Sequence, residues 1–90
     1  MDDVLRHCAD LKSVFRRHSG AWLDREGLGR VKALCTRAAA SSRDARTQYE
    51  LARVAFFAEQ LYSHRGARTD LLRERILLSL EALEDRLYAG

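Results

Sequence analysis

The sequence has no proline in 90 residues, where an average soluble domain of this length carries roughly four or five. Its absence removes the strongest breaker of helical continuity. Long hydrophobic runs are missing too. The longest apolar stretches span a few residues, far short of the ~20 needed to cross a bilayer, so no membrane association is expected. The first residues include Asp2 and Asp3 with no apolar segment after them, which reads as a chain without a secretory leader and predicts a cytoplasmic location. Cysteine occurs only twice. Cys8 and Cys35 stand far apart and form no C-x-x-C pair, which excludes a disulfide framework.

Motifs for chemistry are equally scarce. No serine has the setting of a nucleophile elbow, and Gly27 and Gly29 lack the preceding strand that a phosphate loop requires. The three histidines, His7, His18 and His64, offer no pair at the i, i+4 spacing that grips one metal. A zinc site would have to draw Cys8, Cys35 and a histidine together through the fold. Buried free thiols acting as small hydrophobes are the simpler expectation, with His18 partly buried and bonded to a backbone carbonyl. Glu81, Glu84 and Asp85 share a charged helix face, the usual place for solvated carboxylates. No catalysis and no cofactor are expected.

What the chain does have is helix formers: Ala, Leu, Arg and Glu dominate. Residues 1–90 make one domain, and a chain this short buries only about 60–65% of its unfolded surface. The expected fold is all-α, a small up-and-down bundle of three long helices and one shorter one, open to completion by dimerisation.

The helices can be placed from their periodicity. Val4, Cys8, Leu11, Phe15 and His18 recur at four, three, four and three, a heptad seam. The first helix runs from Asp2 or Asp3 to about His18 and ends at Ser19-Gly20. Ala21 to Gly29 reads as a turn or short helical piece, because each glycine costs about 1 kcal/mol in a helix interior. Trp22 and Leu23 should fold onto the core. A second helix spans about Leu28 to Ala40, with Leu28, Val31, Cys35 and Ala38 inward. Ser41 followed by Asp44 resembles a capping box ahead of a third helix from Ala45 to near His64, broken at Gly66. Thr69 caps a fourth, whose main stripe is Leu72, Ile76, Leu80, Leu83 and Leu87.

The third helix carries the strongest functional signal. At about 100° per residue, Leu51, Val54, Ala55, Ala58, Leu61 and Tyr62 form one broad apolar stripe. Tyr49, Ala52 and Phe56 form a second on nearly the opposite side, with Glu59 beside it. The fourth helix has its own side stripe of Leu71, Leu78 and Ala82. An outer helix of a small bundle needs one apolar stripe only. The surplus points to a protein partner or a homodimer, with Tyr49, Ala52, Phe56, Glu59, Leu71 and Leu78 at the contact, and to a non-catalytic adaptor, regulator or chaperone-like role.

Charge supplies the alternative. The net charge is +3, and it is uneven: residues 1–46 hold ten basic and six acidic side chains, residues 47–90 six and seven. Arg25, Arg30, Lys32 and Arg37 could serve a nucleic-acid-binding regulator. Arg30 and Arg37 fall together on the second helix, however, while Arg25 and Lys32 lie roughly 140–160° away. Only Thr36 is at hand to read base edges.

Overall fold

The heptad seam of the first helix is its buried face: Val4, Cys8, Leu11 and Phe15 are all closed to solvent. The computed structural model describes residues 3–17, 23–63 and 69–89. They form α1 (Asp3–Arg17), α2 (Arg25–Ala40), α3 (Ala45–Ser63) and α4 (Thr69–Ala89), with no strand among the described residues. The all-α bundle read from periodicity is the fold. The expectations for His18, Gly20, Trp22, His64 and Gly66 lie outside the described residues.

α2 begins three residues earlier than its apolar pattern suggests. Asp24 has extended backbone, and its Oδ1 accepts the Gly27 N–H at 2.6 Å. Its carbonyl takes the Leu28 N–H at 2.9 Å, closing the first helical turn. Gly27 thus sits in the capped first turn rather than the interior where glycine is costly. A Cβ there would come within 2.9 Å of both Leu23 Cδ1 and Asp24 Oδ1. The missing side chain lets fully buried Leu23 pack against the helix start.

The α2–α3 connection also differs from the expected capping box. Ser41 closes α2, its N–H donating to the Arg37 and Ala38 carbonyls and its Oγ to Arg37 O at 3.0 Å. Asp44 caps α3. Its carboxylate accepts the Arg46 and Thr47 N–H groups at 3.3 Å and the Thr47 hydroxyl at 2.7 Å. The Ser–Asp spacing was real, but each residue serves a different helix. Four residues after Asp44, the Gln48 amide donates to Ser42 O at 2.9 Å, pinning the turn.

Short connections make consecutive helices neighbours, and α1 packs on α4 to close the ring. The dimensions, 37 × 21 × 20 Å, fit a two-by-two array of helices at 8–10 Å interaxial spacing. Phe15, Leu11, Leu23, Leu51, Leu61, Ile76 and Leu80 fill the centre with essentially no exposure. Each such side chain contributes about 1.5–3 kcal/mol on burial. Ion pairs lace the helix edges. Lys12 Nζ meets Glu84 Oε1 at 2.6 Å between α1 and α4, and Lys32 Nζ meets Glu59 Oε1 at 2.8 Å between α2 and α3.

Candidate protein-interaction surface

The inward stripe of α3 is Thr47, Leu51, Val54, Ala58 and Leu61, all buried. Phe56 stands about 180° from the centre of that stripe, at 100° per residue. Its ring is therefore turned outward, and 57% of the residue is exposed. Tyr49, one heptad earlier, is 62% exposed, and Ala52 between them is exposed as well. On α4 the buried stripe of Ile76, Leu80 and Leu83 leaves Leu71 and Leu78 pointing out, 60% and 58% exposed. Tyr88, also on α4, is the fifth large apolar side chain left in solvent. Among the described residues, α1 and α2 expose none of this kind.

Local contacts organise these rings. The Arg53 guanidinium lies 6.0 Å from the Tyr49 ring centroid and 5.6 Å from that of Phe57. Phe57 in turn meets Phe56 edge-on, with centroids 5.8 Å apart. Spacing produces this arrangement, since Tyr49, Arg53 and Phe57 are successive i, i+4 positions and therefore neighbours on the helix surface. Both distances fall within cation–π range, so the arginine bridges the two rings. The sequence reading used Arg53 only as a divider between stripes; its equal distance from two aromatics was the signal for a bridging role.

Between α3 and α4 lies a cavity of about 110 Å³ lined by Arg46, Glu50, Ala82, Leu83 and Arg86. Ala82 and Leu83 give it apolar lining, and Glu50 with the Arg46 and Arg86 side chains gives it polar lining. Arg46 and Arg53 are seven residues apart on α3, and Arg75 and Ala82 seven apart on α4, so each pair shares a stripe bordering this groove. Arg53 approaches Glu50 at 3.9 Å, and Arg86 holds Asp44 at 2.9 Å. Arg46 and Arg75 are exposed and have no carboxylate partner among the described residues.

A second groove separates α2 from α3. It encloses about 260 Å³ above Cys35 and Leu51, and it is wide because Ala39, Ala52 and Ala55 wall it. Burial, helped by the nearby Cys8 thiol, pushes the Cys35 thiol up from 9.0 to about 12. It stays protonated at neutral pH and is no nucleophile. His7 Nδ1 is buried without a hydrogen-bond partner among the described residues, and no three His, Cys, Asp or Glu side chains gather there in an arrangement that could hold a metal.

The remaining sequence-derived positions divide. Glu59 is exposed but committed to Lys32 inside the molecule, rather than standing free beside the Phe56 stripe. That pair also occupies the Lys32 of the basic set. Arg25, Arg30 and Arg37 are exposed and unpaired among the described residues. They flank α2 on two sides of a strip made by Gly29, Ala33 and Thr36, all exposed. No described helix is long and apolar enough to cross a membrane. Comparison with family models, curated proteins and solved structures finds no match to this chain.

Proposed function

We propose that this chain is a non-catalytic protein-interaction module, an adaptor, regulator or chaperone-like subunit, that binds through the outer faces of α3 and α4. One observation carries the reading: every large apolar side chain left in solvent among the described residues belongs to those two helices. Scattered exposed hydrophobics are ordinary on a protein surface. Their confinement to two helices of a four-helix ring, one of which also carries an arginine within cation–π range of two aromatics, is the composition of binding hot spots. The same surface is open to a heteromeric partner or a second copy of the chain, with Tyr49, Ala52, Phe56, Leu71 and Leu78 at the contact.

The test pairs association with folding. Phe56→Glu and Leu78→Glu should leave thermal unfolding nearly unchanged, yet abolish self-association in sedimentation or retention of a native partner. Retention that survives both substitutions would place the contact elsewhere and end this reading. Nucleic-acid binding is the competing proposal, supported by Arg25, Arg30 and Arg37, exposed and unpaired among the described residues. It requires binding that weakens steeply with salt as counterions are released and that is lost in an Arg30→Glu, Arg37→Glu variant.

A further inference from the structure

The outer faces of α2 and α4 carry opposite charge. These helices stand at opposite corners of the ring, each packed against α1 and α3. Consecutive helices alternate in direction, so α2 and α4 run parallel. On α2, Lys32 pairs with Glu59 and marks the flank turned to α3. Arg30 and Arg37 lie on the other flank, turned to α1, exposed and without a carboxylate partner among the described residues. Glu26 is the one acidic side chain on this helix. On α4, Glu81 and Glu84 reach Arg16 and Lys12 and so mark the flank turned to α1. Glu74 stands on that flank seven residues before Glu81, and Asp85 lies between the flank and the outer crest. Both are exposed, with no cation partner among the described residues. The crest itself is Leu71 and Leu78, whereas the crest of α2, Gly29, Ala33 and Thr36, has nothing bulky to obstruct it.

From this opposition we infer that a second copy of the chain docks head to tail, setting its α4 crest on the outer face of α2. The inference rests on the protein-interaction reading and names the partner of the α4 face. A copy displaced along the diagonal of the ring, without rotation, brings its α4 parallel to α2, with the two α1-side flanks together. Arg30 and Arg37 then face the copy's Glu74 and Glu81, and because both pairs are spaced by seven residues one register serves them together. Guanidinium and carboxylate suit such pairing, and Asp85 adds a further carboxylate one turn beyond Glu81. In the same register Leu71 and Leu78 fall beside Gly29 and Thr36, which are also seven residues apart. The like charges of the α3-side flanks, Arg25 and the copy's Arg75, are offset by about 9 Å along the helices, six residues at 1.5 Å each. Every docking leaves one α2 face and one α4 face open, so association continues past the dimer unless it closes into a ring.

The probe is the full chain itself. Sedimentation of the wild type at low salt should show a mass that grows with concentration past the dimer, and added salt should reverse the growth as the charges are screened. Arg30→Glu with Arg37→Glu, and separately Glu74→Arg with Asp85→Arg, should each weaken association at least about tenfold, a difference near 1.4 kcal/mol. An equimolar mixture of these two variants should reassemble, because every contact then joins opposite charges again. Leu78→Glu should block growth, and circular dichroism should show all variants helical. A monomeric wild type, a dimer that never grows, or charge variants that fail to rescue each other would overturn the inference. So would duplex nucleic acid bound by a monomeric wild type and lost in Arg30→Glu, Arg37→Glu, the outcome that the competing proposal requires. Assembly lost in Phe56→Glu but intact in both charge variants would overturn it too, yet leave the protein-interaction reading standing. Association that ignores both Phe56→Glu and Leu78→Glu removes the two together.

Discussion

Arg86, in the last turn of α4, donates from Nη1 to Oδ2 of Asp44 at 2.9 Å, joining the end of one helix to the cap of another. Nη2 reaches the Thr47 hydroxyl at 3.3 Å, and that hydroxyl donates to the same carboxylate at 2.7 Å. Thr47 is the buried polar residue among those described, and this triangle satisfies it. Forty-two residues of chain separate Asp44 from Arg86, so the pair forms only when α3 and α4 have docked.

A pH dependence follows from it. The Thr47 hydroxyl first, then Arg86, hold the Asp44 carboxyl down from 3.8 to about 2. A depressed folded pKa gives stability that is complete above the unfolded value and is lost as pH falls through the folded one. The thermal midpoint should therefore drop between pH 4 and 2, and Asp44→Asn should flatten that part of the curve. An unchanged acid limb in the variant would show that other carboxylates govern it.

The two glycines at the start of α2 should respond oppositely to alanine. At Gly27 the new methyl meets buried Leu23 and the capping carboxylate at 2.9 Å, and overpacking of this kind costs about 1–3 kcal/mol. At Gly29 nothing lies within 4 Å of the added carbon. Gly29→Ala should gain up to about 1 kcal/mol from helix propensity. Urea titrations of both variants check the pair.

Leu61 and Phe56 separate the inner from the outer face of α3. Leu61 is 1% exposed, so Leu61→Ala should cost about 2–5 kcal/mol of stability. Phe56→Glu touches a solvated ring and should shift stability by about 0.5 kcal/mol. If Phe56→Glu is the variant that unfolds on denaturant titration, the face assignments are inverted.

Cys8 and Cys35 should both resist a thiol reagent in the native protein and react at once in denaturant, because neither thiol is open to solvent. Alkali supplies a second check. The Cys35 pKa is raised on folding from 9.0 to about 12, so its contribution is intact below pH 9 and declines as pH rises toward 12. Cys35→Ala should be less sensitive across that window.

Much of this fold was legible in spacing alone. The heptad seam of α1, the inward stripe of α3 and the Ile76–Leu80–Leu83 stripe of α4 are buried where periodicity put them, because a helix shows one face to its neighbours at fixed intervals. The outward set on α3 and α4 was legible for the same reason: Tyr49, Phe56, Leu71 and Leu78 cannot share the buried face. The start of α2 was not. Helix propensity counts against Gly27, and only the packing of Leu23 and Asp24 around it turns the missing side chain into a requirement. Sequence likewise grouped Ser41 with Asp44, though they end one helix and begin the next.

Composition and periodicity by themselves determined an all-α chain whose third and fourth helices carry apolar residues outside their buried stripes. These are properties of local backbone preference and of which residues recur on one face. The tertiary structure alone decided what that surface became. Closing the ring placed Lys32 against Glu59 and Arg86 against Asp44, withdrawing some charges and leaving Arg46 and Arg75 without a carboxylate partner among the described residues. Residues tens of positions apart meet only through helix docking, and no spacing rule along the chain encodes which charges find partners.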